Sequence, residues 1–202
     1  MKPEGIIKTL IHEISDPSCI RHGQERTIIS LDNYEHDMTF ILHVGTVAVH
    51  RSTDQLLLKF TEAPMIIGMN DLFNTHEGIY YQVHGQVKYE IRKKSDILAL
   101  LDSKNLWKEA AYCYMYGVKE LLTAHKKSAG LTTYELIRQS LMTLMAKKET
   151  LRQTINTCDY IQEKTHISRS RVMKILSDLK IGNYIEIERG VLIKINKLPK
   201  TY

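Results

Sequence analysis

The segment between residues 156 and 195 constrains the fold of this chain more than any other part of it. Two short amphipathic stretches in this segment are separated by Thr165-His166-Ile167, and Asn156 and Ser168 stand where each stretch begins. Asn and Ser are preferred N-cap residues, so both stretches are predicted to be helices. The second has the i, i+3, i+4, i+7 spacing of one buried helical face: Val172, Ile175, Leu176 and Leu179.

Two apolar runs follow the second predicted helix directly. They cover residues 184–187 and 191–195, on either side of Glu188-Arg189-Gly190. This pattern predicts a β-hairpin with Arg189 at its tip. Two short helices joined by a tight turn and followed by a hairpin form the winged helix-turn-helix pattern.

The predicted outer face of the second helix is polar and basic. Arginine can bond bidentately to guanine, serine can bond to base edges or phosphate, and lysine can meet either. A helix N-terminus also attracts phosphate. The residues predicted to contact DNA are Ser168, Arg169, Ser170, Arg171, Lys174, Ser177 and Arg189. Winged helices also serve as protein-interaction modules, so a docking module without specific DNA binding is the alternative.

The charge of the chain is unevenly distributed. Residues 125–202 contain 15 Lys/Arg against 7 Asp/Glu, whereas residues 1–124 contain 13 against 16. A basic module attached to a mildly acidic one indicates an anionic partner for one end only, and double-stranded DNA is the first candidate.

Residues 27–92 alternate between apolar and polar side chains in short runs that turn residues interrupt. The runs around Phe40 and Val47 are separated by Gly45, and a later pair is separated by His84-Gly85-Gln86. This spacing predicts an antiparallel β-barrel made of short strands. The fold class is therefore α+β, with an N-terminal barrel and a C-terminal winged helix.

A longer helix is predicted over residues 105–127. A heptad-like seam of small and large apolar residues runs along it: Trp107, Ala110, Tyr114, Gly117, Leu121 and Ala124. The seam predicts a dimerisation helix, although an amphipathic helix on its own barrel has the same period. Residues 128–130 break the helix, and Thr132 and Glu135 after them form a capping box. The predicted domains are 1–102, 103–128 and 129–202.

From Ser168 to Leu176 the sequence resembles the recognition helix of the catabolite activator protein and FNR superfamily of bacterial regulators. The order of barrel, long helix and winged helix is also similar. Within the superfamily the chain resembles the group named as inhibitors of hydrogen-peroxide resistance. The resemblance implies a homodimer on the long helix, a two-fold symmetric operator, effector control from the barrel and a link to oxidative stress. RNA polymerase is a candidate partner.

The sequence departs from the family pattern in the recognition helix, in the turn before it and in the barrel. The recognition-helix glutamate of the family is Ser170 here, which predicts a different half-site, and its turn glycine is His166, which predicts a left-handed backbone. The cyclic-nucleotide cassette is also missing. Met69 follows Gly68 where the family has glutamate, and residues 78–81 carry no cation for the cyclic phosphate. We therefore expect no control by cAMP; the effector is not identified.

No other chemistry is indicated. The nine histidines are dispersed, Cys19 stands alone, and neither a metal site, a cofactor site nor an enzyme motif is predicted. Cys113 and Cys158 are considered as redox sensors, against the usual role of a free cysteine as a small buried apolar residue. No apolar run reaches the roughly 18–20 residues of a membrane helix, so a cytoplasmic protein is expected.

Overall fold

The computed structural model describes residues 2–32, 34, 37–69, 78–128 and 130–200, without the side chains of 124–128. The chain forms two compact units. The first comprises Met1–Thr53 and Leu58–Lys127, and the second comprises Asp54–Leu57 and Ser128–Tyr202.

The first unit is an antiparallel sheet with helices before and after it. Its helices are α1 (Glu4–Ile14), a short 3-10 helix (Pro17–Cys19), α2 (Lys94–Ser103) and α3 (Trp107–Ser128). Its strands are β1 (Arg21–Gly23), β2 (Ile28–Ser30), β3 (Met38–Arg51), β4 (Leu57–Glu62), β5 (Met65–Ile67) and β6 (Ile79–Lys93). The strand order is β1-β6-β3-β4, with β2 on β6 and β5 on β3. The predicted N-terminal antiparallel barrel is thus confirmed.

Strands β3 and β6 are longer than the sequence predicts, at 14 and 15 residues. The predicted break at Gly45 is a bulge inside β3, where the register to β6 shifts and the glycine φ is +93°. A side chain there would collide with the Gln86 carbonyl oxygen and with Val87. The prediction of short strands was therefore wrong, because glycine lets the paired strands bend without ending.

Two apolar clusters lie on opposite faces of β3. Phe40 belongs to the cluster inside the sheet, where its ring stacks on Tyr81 with 4.3 Å between centroids. Ile41 points the other way, into a cluster with α1 and α2. This alternation is the period of two that a strand imposes.

Helix α3 packs one of its faces against the rest of the first unit. Ala110 is buried in the cluster with α1 and α2, and Tyr116 packs against the cluster inside the sheet. This small residue lets α3 approach its own unit, and the role of the seam residues in a dimer stays a prediction. Gly117 is half-buried, whereas Trp107, Tyr114 and Leu121 are exposed. The side chain of Ala124 lies outside the described residues, and so outside this comparison.

The second unit is a helical bundle completed by a two-stranded sheet. Its elements are α4 (Thr133–Met145), α5 (Glu149–Arg152), α6 (Thr157–Thr165), α7 (Arg169–Ile181), β7 (Ile185–Glu188) and β8 (Val191–Ile195). The Thr132–Glu135 capping box predicted at the start of α4 is present. Within the described residues, no helix combines the length and the apolar composition needed to cross a bilayer.

Candidate nucleic-acid interface

Helix α6 and the turn after it set the position of α7. The Asn156 side chain accepts hydrogen bonds from the backbone N–H groups of Cys158 and Asp159, at 3.0 and 3.2 Å, and so caps α6 as predicted. At the other end His166 has φ 55° and ψ 17°, the left-handed conformation expected at this position. This conformation ends α6 and reverses the chain into α7.

Helix α7 buries one face and exposes the other. The predicted stripe of Val172, Ile175, Leu176 and Leu179 is buried. The exposed face carries the predicted contact residues Arg169, Ser170, Arg171, Lys174 and Ser177. Ser168 occupies the N-cap position, but its side chain makes no capping hydrogen bond; its hydroxyl lies 3.4 Å from that of Ser170.

The cations of α7 differ in what they contact. The Arg169 guanidinium donates hydrogen bonds to Asp159 at 2.6 Å and to Gln162 at 3.3 Å, both on α6. The side chains of Arg171 and Lys174 make no ion pair or hydrogen bond with any other described residue. Arg171 and Lys174 are thus available to a ligand as they stand, whereas Arg169 is held by its own unit.

The hairpin β7–β8 is fastened to the start of α6. Arg189 and Gly190 form its two-residue tip, with φ values of 47° and 87°, which are the positive values of a type I′ turn. The Gly190 carbonyl accepts a hydrogen bond of 2.8 Å from the Thr157 backbone N–H. A side chain at Gly190 would lie 2.5 Å from the Asn156 amide nitrogen. The wing and α6 therefore act as one piece.

Two concave surfaces flank α7. The larger, with a volume of about 850 Å³, we name the basic groove; it is lined by Thr132, Thr133, Tyr134, Glu135, Ser168, Ser170, Arg171, Lys174, Ile175 and Lys200. The smaller, of about 440 Å³, lies between α7 and the wing and includes Arg169, Ser177, Lys180 and Arg189. Sequence reasoning missed Lys200 and Lys180. The helical period of α7 does place Lys180 on its exposed face, but no local signal points to Lys200.

The two cysteines considered as redox sensors are poorly suited to form thiolates. Burial raises the pKa of Cys113 to about 11 and also raises the pKa of Cys158. The neighbouring Glu109 raises the pKa of Cys113 further. Because the thiolate is the form that reacts with peroxide, burial lowers the reactivity of both side chains. No group of described His, Cys, Asp and Glu side chains could hold a metal ion.

The outward face of α3 is apolar. Its exposed large residues follow one another at short helical spacings: Trp107, Tyr114, Met115, Val118, Leu121 and Leu122. Trp107 is 47% exposed and Leu121 is 70% exposed. Exposed apolar side chains clustered on one helix face mark an interaction surface.

Sequence and structure comparisons agree with this architecture. Residues 133–200 match the family model described as winged helix-turn-helix DNA binding. The chain is 34% identical over 196 residues to the inhibitor of hydrogen peroxide resistance of Salmonella typhimurium strain LT2, covering 93% of each protein. The chain therefore belongs to the family of these inhibitors of hydrogen peroxide resistance. A second member, from Escherichia coli K12, is 30% identical over 183 residues and covers 89% of this chain and 87% of its own.

Solved structures of bacterial regulators share the fold of this chain. The c-di-GMP-responsive global regulator CLP of Xanthomonas campestris aligns with a TM-score of 0.76 at 15% identity, covering 96% of this chain and 99% of its own. A CRP/FNR-family transcriptional regulator of Thermus thermophilus aligns with a TM-score of 0.66 at 16% identity, over 87% and 93% of the two chains. The fold that the superfamily resemblance implies is thereby confirmed.

Proposed function

We propose that this chain is a homodimeric transcriptional regulator that binds DNA sequence-specifically by inserting α7 into the major groove. The observation that carries the proposal is the exposed polar face of α7, on which Arg171 and Lys174 are free of other described partners. The winged helix-turn-helix match over residues 133–200 supports it.

The residues of α7 divide between two tasks. Those of the first turn, Arg169, Ser170 and Arg171, reach base edges first, because a recognition helix enters the groove by its N-terminal end. Lys174 lies about one turn further along the helix and meets a base or a phosphate. The wing is fixed to α6 and brings Arg189 to the DNA backbone, so it adds affinity without base recognition.

Dimerisation follows from the apolar face of α3. Two copies that pair through Trp107, Tyr114 and Leu121 would cover large apolar side chains that α3 leaves exposed. Each copy then supplies one α7, and a symmetric dimer reads a symmetric operator. RNA polymerase is the protein partner that a regulator of this kind would contact in controlling transcription.

The signal is proposed to differ from cAMP. Inside the sheet, Phe40 and Tyr81 are stacked and completely buried, so aromatic side chains occupy the interior of the described barrel. The name of the Salmonella relative motivates a role in the response to hydrogen peroxide. The chain would act in the cytoplasm, where a bacterial regulator meets DNA.

Selection of genomic fragments by the purified protein tests the proposal. We expect a small set of enriched fragments that share a two-fold symmetric site, and a gel shift that survives random competitor DNA. Lys174→Glu should abolish the gel shift. Lys8→Glu makes the same charge change at an exposed position of α1, and it should leave the gel shift unchanged. Folded protein that enriches no fragment would instead identify the winged helix as a protein-docking module.

A further inference from the structure

The basic groove is bounded on one side by α7 and on the other by the start of α4. Arg171 and Lys174 stand three residues apart on α7, so their Cβ atoms are about 5–6 Å apart. Lys200, from the segment after β8, lines the same groove. Three cations from two separate parts of the chain therefore face one open concavity.

The groove carries a net positive charge in spite of one carboxylate. Glu135 lines it, and the Thr132 backbone N–H donates to this carboxylate at 2.8 Å. That hydrogen bond lowers the pKa of Glu135, so the side chain is ionised. Three cations against one anion leave two positive charges. Lys200, like Arg171 and Lys174, makes no ion pair or hydrogen bond within the described part of the chain.

The segment that carries Lys200 is held in place. Leu198 is buried, and the Tyr134 hydroxyl donates a hydrogen bond of 2.8 Å to the Pro199 carbonyl. Tyr134 is itself buried at the start of α4. These two contacts fix the residues just before Lys200, so the fold places Lys200 beside the groove.

We infer that the basic groove binds a phosphate of the DNA backbone, with Lys200 as a contact residue and Tyr134 as the residue that positions it. This inference rests on the proposed DNA-binding function, and it adds residues that lie outside the helix-turn-helix and the wing. A lysine ammonium is a point charge suited to phosphate, and a phosphate contact carries no sequence information. Lys200 therefore contributes affinity to every duplex alike.

The salt dependence of binding tests the contact. The affinities of wild type and Lys200→Gln are measured for the selected operator and for a random duplex of equal length. We expect the log–log salt slope to fall by about 0.9 per protomer on both duplexes. The affinity deficit should then shrink about 3- to 4-fold per protomer when salt is raised fourfold.

Lys197→Gln is the matched control, because Lys197 is an exposed lysine in the same segment that does not line the groove. Its slope should stay at the wild-type value. Equal slopes for the two variants, or an unchanged slope for Lys200→Gln, would overturn the inference. So would a deficit confined to the operator, which would make Lys200 a base contact.

The positioning role of Tyr134 is tested by Tyr134→Phe, alone and combined with Lys200→Gln. We expect the single variant to lower the salt slope as Lys200→Gln does, and the double variant to lower it no further. Equal additional losses in both backgrounds would show that Tyr134 only stabilises the fold. The proposed function has its own test: it fails if wild-type protein shows no preference for any selected fragment, whatever the variants do.

Discussion

Arg169 is held by a contact that would compete with DNA. Its guanidinium and the Asp159 carboxylate are 2.6 Å apart, and their side chains are 61% and 50% exposed. Exposed ion pairs contribute little to stability because water screens them. The pair can therefore open at little cost, and a guanine that accepts two hydrogen bonds from Arg169 would replace the carboxylate.

Removing the Asp159 charge should strengthen DNA binding. Asp159→Asn frees Arg169 and removes a negative charge from the face that meets the duplex, so we expect a several-fold higher operator affinity. Arg169→Ala should lower operator affinity roughly 5- to 150-fold and relax the preference at one base position. Fluorescence anisotropy on the operator and on its single-base variants measures both effects. Asp96→Asn, on α2, is the control; an equal gain there would show a general charge effect.

Gly190 is needed both for its backbone angle and for its lack of a side chain. With φ at +87° an alanine is strained, and its Cβ would press on the Asn156 amide that caps α6. We expect Gly190→Ala to cost about 1–2 kcal/mol from the angle and more from the collision. Gly130→Ala isolates the angle, since φ is +75° there and no atom of the described residues lies within 4 Å of an added Cβ. Urea unfolding gives both values, and equal losses would mean that Asn156 moves aside freely.

The cysteines of α3 and α6 should react slowly with peroxide. A thiol whose pKa is about 11, as for Cys113, has roughly 300-fold less thiolate at neutral pH than a thiol near 8.5. We expect iodoacetamide to label Cys113 and Cys158 far more slowly in the folded protein than in urea. Cys113→Ser and Cys158→Ser should leave operator binding after peroxide treatment as in wild type. Fast labelling of either native thiol would restore it as a sensor candidate.

At the scale of elements, α3 shows that one helical period serves two partners. Ala110 and Tyr116 face the chain's own unit, while Tyr114 and Leu121 face outward. The sequence displays both stripes with the same spacing. Local spacing cannot say which stripe meets which neighbour, because that depends on residues far away in sequence.

If the outward stripe of α3 forms the dimer interface, one charged side chain placed in it should dissociate the dimer. Burying the exposed part of Leu121 would contribute about 1–2 kcal/mol per copy, so Leu121→Glu should raise the dimer dissociation constant roughly 30- to 1,000-fold. Thr123→Glu adds the same charge on α3 away from the stripe, and it should leave the dimer intact. Sedimentation velocity over a concentration series distinguishes them, and a monomeric wild type would contradict dimerisation through α3.

The helix-turn-helix was predictable because its signals are local. The Asn156 cap marks the start of α6, and the apolar stripe that begins at Val172 marks α7. The turn residues around Arg189 mark the hairpin in the same way. The lengths of β3 and β6 were not predictable. Gly45 forms a bulge rather than a strand end because the Gln86 carbonyl, on the partner strand, leaves no room for a side chain there. Lys200 was missed for the same reason, since its neighbours lie far away in sequence.

For the whole molecule, the described barrel interior argues against a cyclic nucleotide. The stacked Phe40 and Tyr81 rings are completely buried, and residues 78–81 supply no cation to a buried phosphate. Burying a phosphate charge without a partner is costly. We expect calorimetry with cAMP to show no binding at micromolar concentrations, in a preparation that does bind its operator. A micromolar dissociation constant would contradict this prediction.

The apolar face of α3, if it pairs two chains as proposed, would also set how the regulator responds to its own abundance. If free chains meet through that face, paired chains accumulate with the square of the chain concentration until pairing is complete. Because a palindromic site is filled by a pair, a twofold rise in synthesis would raise occupancy up to about fourfold in that range. Expression level alone would therefore change the occupancy of target sites more than proportionally, with no ligand involved.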